Sequence, residues 1–285
     1  MTTSPTAPLS TLLTLPLDKL NARPLIDLVI SQLPQVPRLT SQGTNICPYG
    51  YVICAGGRYA KYGYATCRWI REQLKDDAPI EVWVGSDEQI PTFWKEVVMG
   101  NVNFLRADIP GGWPLKARAV LKSSFERVIL LDADCIPMVK ATTLWQSPHL
   151  YSGALFFPDV ANHRKSDWGY AALKLRAGSV PEMEAGQLAI DRVRHSQAVV
   201  LVDYFNQHPE FFYEQFHGDK DLWALAFARL GIAFTTGAPC TEYPWGLRHF
   251  LPDGTHYSDH LIHIKNGQSC PHPEYQGYLE EFENV

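Results

Sequence analysis

The sequence predicts an α/β fold: a mostly parallel central sheet flanked by helices. Three observations carry that expectation. Short apolar runs of strand length recur, in "YVICAGG" (51–57), "PIEVWVGS" (79–86) and "RVILLDAD" (127–134). Segments of helix length alternate with them, the rhythm of a parallel sheet covered on both faces. The 285 residues, 46% hydrophobic and 19% charged, suffice for one large domain with a sizeable core.

Taken in order, residues 1–45 are rich in Pro, Thr and Leu and are expected to form an extension with one helix near 17–33, packed on the domain. Residues 46–285 are expected to form a single domain. The strand at 51–57 ends in glycines and leads into a helix near 59–76; the strand at 79–86 follows. "PLKARAVLKSSF" (114–125) is a helix with Pro114 in its first turn, where its missing N–H costs nothing. The run 127–134 is a fully buried strand. "SGALFFPD" (152–159) and "GQLAIDR" (186–192) are further strands, followed by a helix near 193–207. "DKDLWALAFARLG" (219–231) is a helix with Asp219 as cap and Gly231 as stop. "IAFTTG" (232–237) and "HLIHI" (260–264) close the strand series. The polar stretch 160–185 has no clear period and is expected to be a mobile loop over a site. No repeats or low-complexity linkers interrupt the chain.

The formal charge of −5 and pI near 6.0 argue against nucleic acid or an anionic membrane as the main partner. Eight Trp, 13 Tyr and 13 Phe suit flat, polar-edged ligands as well as core packing. The six cysteines (Cys47, Cys54, Cys67, Cys135, Cys240, Cys270) form no CxxC pair, so a zinc ribbon is not expected; reduced, mostly buried thiols are the simplest reading, with disulfides the alternative that the even count allows. The N-terminus lacks a basic n-region and a long apolar core, and no run approaches membrane-span length. The expectation is a soluble, cytoplasmic chain.

The chemistry centres on Asp132 and Asp134. One residue apart in an extended segment, their side chains lean to the same side. Two adjacent carboxylates repel unless a cation or a shared proton relieves them. Oxygen ligands without a thiolate pair suit Mn²⁺ or Mg²⁺, which keep open positions for phosphate oxygens. Ligands of parallel sheets bind beyond the carboxyl ends of the strands, and this pair stands there. A bare DxD is also what a solvated turn looks like, but the apolar run leading into this one favours a site. Aspartyl-phosphate phosphatases use a similar pair near the N-terminus. Here more than a hundred residues precede it and Cys135-Ile136-Pro137 follows, a context that favours a nucleotide-sugar site.

"GGRYAKYGYATCRWIR", "IEVWVGSDE", "LKARAVLKSSFERVILLDADCIP", "GALFFPD", "EAGQLAIDRVRH" and "HGDKDLWALAF" occur in that order. Together, over roughly 48–265, they resemble the fungal α-mannosyltransferases of glycosyltransferase family 71. The resemblance implies a GT-A nucleotide-diphospho-sugar transferase fold, a GDP-mannose donor, Mn²⁺, and retention of anomeric configuration. Those enzymes are membrane-anchored Golgi proteins, whereas no anchor is visible here. More distantly the pattern is similar to the retaining family 8 transferases, which use UDP-sugars. The function expected is transfer of a hexose, mannose favoured, to a glycan or other hydroxyl acceptor. The alternatives are a UDP-sugar-dependent transferase or a catalytically inert nucleotide-sugar binder.

The resemblance also suggests roles. Asp132 and Asp134 match the metal-binding DxD around Ala133, with Asp134 on the metal and Asp132 on metal or ribose. A histidine near the C-terminal end supplies a third ligand in related folds; His263 is the first choice, His260 its nearest rival and His256 a weaker one. Lys265 would neutralise diphosphate. Ala55, Gly56 and Gly57 end the first strand, where backbone amides approach a nucleotide, and Arg58 or Tyr59 would touch phosphate or base. Lys116 is expected near the nucleotide-sugar and Arg118 on a solvated helix face. Gly186 would permit close approach of the sugar, and Gln187 would hydrogen-bond its hydroxyls. Asp219 or Asp221 would stabilise the reacting sugar or attack it; Lys220 stands where family 8 carries an amide. Tyr243, Trp245 and His249 are candidates to stack on an acceptor sugar.

Overall fold

A computed structural model describes residues 8–35, 39, 48–97, 100–160 and 166–284. Cys47 and part of the 160–185 stretch lie outside the described residues. In chain order, α1 (Leu9–Leu12) and α2 (Ala22–Gln32) precede β1 (Tyr49–Cys54). Then come α3 (Ala60–Arg68), β2 (Ile80–Val84), α4 (Thr92–Glu96), β3 (Val102–Arg106), α5 (Pro114–Lys122), β4 (Arg127–Asp132) and β5 (Cys135–Pro137). The second half holds α6 (Ala141–Gln146), β6 (Ala154–Pro158), α7 (Asp167–Ala172), β7 (Met183–Asp191), α8 (Ser196–Asn206), α9 (Pro209–Gln215) and α10 (Leu222–Arg229). It ends with β8 (Thr235–Thr236), β9 (Ala238–Tyr243), β10 (Gly246–Phe250), β11 (His256–His260) and α11 (Pro273–Glu283).

The architecture is the expected α/β one. A seven-stranded sheet runs in the order β3-β2-β1-β4-β7-β6-β8. β1, β2, β3 and β4 are parallel neighbours, as are β6 and β8, and β7 is reversed against both β4 and β6. The period of two explains why the central strands are apolar throughout. Val128 and Leu130 enter the core under α2, α5, α8 and α10, while Ile129 and Leu131 enter the core under α3, α6 and α11. Truncating Ile129, Leu130 or Leu131 to Ala costs about 2–5 kcal/mol.

Helix α5 fits its sequence. Pro114 opens it, and Leu115, Ala119 and Val120 face the core. Arg118 does not lie on a solvated face. It is nearly buried and pairs with Asp203 of α8 at 2.9 Å and with Asp108 at 2.8 Å, which locks α5 to α8. The helix expected near 17–33 is α2, whose Leu25, Ile26 and Val29 join the first core. No helix among the described residues is long and apolar enough to cross a membrane.

Several elements depart from expectation. The stretch 166–185 is not an open loop: Ser166 Oγ accepts the Gly169 amide at 3.3 Å to cap α7, Tyr170 is buried against Phe216, and β7 starts at Met183. Helix α10 starts at Leu222, so Asp219 is not its cap. Asp221 holds the N-cap position, and its Oδ1 accepts the Met183 amide at 2.9 Å. Gly231 does end α10, at φ +67°. The C-terminal strand is 256–260 rather than 260–264. It lies in a second, antiparallel sheet of order β5-β11-β10-β9. One further bond in the same register follows its last residue, the Leu261 amide donating to Asp134 O at 2.8 Å. Val102–Arg106 forms an edge strand that the sequence reading missed; its residues are only half-buried, so no apolar run announces it.

Candidate active site

The carboxyl ends of β1 and β4 lie side by side, with Cys54 opposite Asp132. Asp132-Ala133-Asp134 forms the turn from β4 into β5. β5 pairs antiparallel with β11, bringing Cys135 opposite His260. This pairing delivers a histidine to the aspartates. His260 Nε2 stands 3.8 Å from Asp132 Oδ2 and 3.6 Å from Asp134 Oδ1. One ligand atom from each of the three residues falls within 4.8 Å of the others. Ligand atoms bound to one divalent ion at about 2.1 Å lie roughly 3 to 4 Å apart, so the spacing fits an ion with little movement. Two carboxylates and one imidazole make a mixed oxygen–nitrogen set that could hold a divalent ion.

The histidine that joins the two aspartates as a candidate third ligand is therefore His260 and not His263. His263 opens the 3₁₀ turn after β11, its amide donates to Trp245 O at 3.0 Å, and it is absent from the triad. His256 points to Asp259 at 2.8 Å. A socket surrounds His260. A Cβ on Gly186 would lie 2.4 Å from the ring, and one on Gly246 would lie 2.0 Å from the His260 carbonyl. Gly186 thus makes room for this imidazole rather than for a sugar. Glu184, at the start of β7, closes the socket. Its Oε1 accepts the Ala185 and Gly186 amides at 2.8 and 3.1 Å, leaving Oε2 3.7 Å from His260 Nδ1.

Lysines balance the carboxylates. Lys265 Nζ makes an ion pair with Asp134 Oδ2 at 2.6 Å. Lys116 is buried, 3.2 Å from Asp132 Oδ1, 2.8 Å from Asp219 Oδ2 and 3.3 Å from Ala185 O. Burial alone would raise the Asp134 carboxyl, but the His260 ring and Lys265 outweigh it and hold it well below the usual range. Burial would lower the His260 imidazolium, but Asp134 and Glu184 outweigh it and lift the ring to about 10. Burial pushes the Asp219 carboxyl up, against the pull of Lys116.

A cavity of about 370 Å³ opens beside this cluster. Of the residues singled out from sequence, Gly56, Arg58, Tyr59, Lys116, Asp132, Ala133, Asp134 and Lys265 line it. Ala55 packs beneath, where a Cβ on Gly63 would lie 2.2 Å from its own, and Gly57 turns the chain at φ +54°. Neither is a lining residue. Gln187 is fully buried and its Oε1 accepts the Cys135 thiol at 3.2 Å, away from the lining. Asp219 stands behind Lys116. Asp221 is spent on β7, and Lys220 pairs with Asp159 at 2.6 Å and Glu182 at 2.8 Å, so neither side chain lines the cavity. His249 is buried edge-on to Phe157, a core position rather than a sugar platform. Tyr243 and Trp245 stack at 4.9 Å, half-buried, with Arg248 over both.

Sequence reasoning missed Glu88 and Trp113, which also line the cavity, and Glu184. Glu88 was findable, because it follows β2 and so stands at a strand's carboxyl end. Glu184 was not: it reaches the site because β7 is reversed, which sets that strand's first residues beside the end of β4.

The Mannosyl_trans3 family, described as "Mannosyltransferase putative", matches residues 49–178 and 172–238. Among curated proteins the chain is similar to α-1,2-mannosyltransferase MNN24 of Candida albicans, at 27% identity over 65% of this chain and 33% of that protein. It is also similar to α-1,2-mannosyltransferase MNN2 of Saccharomyces cerevisiae, at 22% identity over 70% of this chain and 42% of that one. The match thus spans less than half the length of each of these two relatives. Among solved structures, the galactosyltransferase LgtC in complex with donor and acceptor sugar analogs matches with a TM-score of 0.46. Its identity is 19%, over 62% of this chain and 70% of that one.

Proposed function

This chain belongs to the Mannosyl_trans3 family of mannosyltransferases, and on that footing we propose that it is a metal-dependent, retaining glycosyltransferase that moves mannose from GDP-mannose to a hydroxyl of a glycan or smaller acceptor. The observation that carries the proposal is the Asp132–Asp134–His260 triad, flanked by Lys116 and Lys265, on a cavity at the carboxyl ends of parallel strands.

Asp132, Asp134 and His260 would hold a divalent ion. When bound, such an ion supplies Lewis-acid stabilisation of the diphosphate leaving group. Lys265 pairs with Asp134 across the cavity wall and, being partly exposed, can swing to phosphate oxygens. Lys116 is held more rigidly by Asp132, Asp219 and the Ala185 carbonyl, so it offers a fixed positive charge at the inner end. Asp219, behind that lysine and outside the cavity lining, would act on the reacting sugar through the Lys116 charge it holds in place.

The test is thermal stability with GDP, UDP or ADP, with and without Mn²⁺, followed by incubation with GDP-mannose and a methyl mannoside. A ligand at 100 times its dissociation constant stabilises by about 2.7 kcal/mol. A Mn²⁺-dependent shift with GDP and an α-linked product are expected. A shift with UDP alone would move the donor to UDP-sugars. Binding without transfer would mark an inert binder, and no shift with any nucleotide would defeat the proposal.

A further inference from the structure

The cavity has two chemically different ends. At one end Asp132 and Asp134 each have a lysine partner. At the other stands Glu88, four residues beyond the end of β2. No lysine, arginine or histidine among the described residues forms an ion pair with it. Its Oε2 accepts the Gly85 amide at 2.8 Å. The chain is shaped around this carboxylate: a Cβ on Gly56 would lie 1.9 Å from Oε2, and one on Gly111 would lie 2.3 Å from the carboxyl carbon. Arg106 pins the surrounding turn, donating to the carbonyls of Gly85, Ser86 and Glu88 at 2.9, 3.1 and 2.6 Å. The indole of Trp113, 57% exposed, lines the same cavity, with Tyr213 edge-on to it at 5.7 Å.

An uncompensated carboxylate repels phosphate, so a nucleoside diphosphate enters with its phosphates at the lysine end and its base toward Glu88. β2 and β4 are separated by β1 alone, a transverse distance of about 10 Å at normal strand spacing. That is the scale of the separation between the diphosphate and the outer edge of the base. Carboxylates accept two parallel hydrogen bonds well. Guanine offers two donors on one edge, N1–H and the 2-amino group. Uracil offers a single N–H between two carbonyls, so a carboxylate can take one hydrogen bond there but not two.

Building on the nucleotide-sugar reading above, we propose that Glu88 is the specificity-determining residue for the donor base, accepting both donors of the guanine edge. The experiment is calorimetric titration of wild type and Glu88→Gln with GDP, IDP and UDP at saturating Mn²⁺. IDP has the N1–H but lacks the 2-amino group. Gln keeps a carbonyl oxygen for the Gly85 amide, and an unchanged melting temperature checks that the turn is intact. In wild type, GDP should bind roughly 10- to 100-fold more tightly than IDP, the usual worth of a hydrogen bond to a charged group. Glu88→Gln should lose most of that preference and leave UDP affinity unchanged or higher. Equal GDP and IDP affinity in wild type, or full GDP preference in the variant, would overturn the assignment while metal-dependent nucleotide binding still stood. Wild type that binds UDP more tightly than GDP would overturn it too, again sparing the metal–diphosphate site. Failure of all three to bind would remove both readings together.

Discussion

Glu184 Oε2 lies 3.7 Å from His260 Nδ1, on the opposite side of the ring from the nitrogen that faces Asp132 and Asp134. At 3.7 Å this is an ion-pair contact rather than a hydrogen bond, and it favours keeping a proton on Nδ1, so that Nε2 is the nitrogen that would give up its proton to a metal. Glu184→Ala should weaken Mn²⁺ binding by roughly 10- to 100-fold, the usual effect of losing such a partner. Glu184→Gln, which keeps an acceptor oxygen, should lose less. Direct Mn²⁺ titration followed by electron paramagnetic resonance measures both.

The two candidate histidines separate cleanly. His260→Ala should remove most Mn²⁺ affinity, whereas His263→Ala should leave it within about twofold, because surface side chains outside a site contribute little. Equal losses in both variants would contradict the observed triad.

The charge on His260 gives metal binding a pH signature. With the free imidazolium lifted to about 10, a metal at neutral pH must expel its proton. Mn²⁺ affinity should therefore rise about tenfold per pH unit between roughly pH 7 and 9, with about one proton released. Calorimetry in two buffers of different ionisation enthalpy counts that proton. For the metal-free fold the sign reverses. A histidine raised on folding contributes stability that is fully present below about pH 6.5 and is lost as pH rises through about 10.

Lys116 is buried between Asp132 and Asp219. Lys116→Met leaves Asp219 charged, buried and unpaired, and should destabilise the protein by about 3–5 kcal/mol in urea unfolding. Adding Asp219→Asn should recover a large part of that loss, because the orphaned charge is gone. Nucleotide affinity should stay low in both variants, since the fixed cation is missing.

Gly186→Ala should act on the site more than on the fold. The added methyl would meet the His260 ring at 2.4 Å. We expect Mn²⁺ affinity to drop at least tenfold, the scale of losing one well-oriented ligand, while the circular dichroism spectrum stays wild type.

The parts legible in the sequence are those whose signal is local. Val128–Leu131 announces a strand buried on both faces, and the two aspartates after it mark its functional end. Pro114 and Gly231 punctuate helices in the expected way. The parts that were not legible depend on pairing across the chain. His260 outranks His263 because β11 pairs with β5 in one register, and nothing within "HLIHI" specifies that register. Glu184 joins the site through the reversal of β7, which the apolar run "LAI" would suit in either direction. Asp221 looked catalytic because carboxylates at a helix start are common in sites, yet its Oδ1 is taken by the Met183 amide at the start of β7.

The ladder between β5 and β11 has a consequence for biosynthesis. The two aspartates leave the ribosome long before the strand that carries His260, and β5 has no partner in the second sheet until β11 arrives. A nascent chain that has completed the parallel half of its sheet already holds both carboxylates yet still lacks the imidazole. Were the cluster to hold an ion, a chain cut short before β11 would lack one of its three candidate ligands, so metal retention would report on whether that strand has docked.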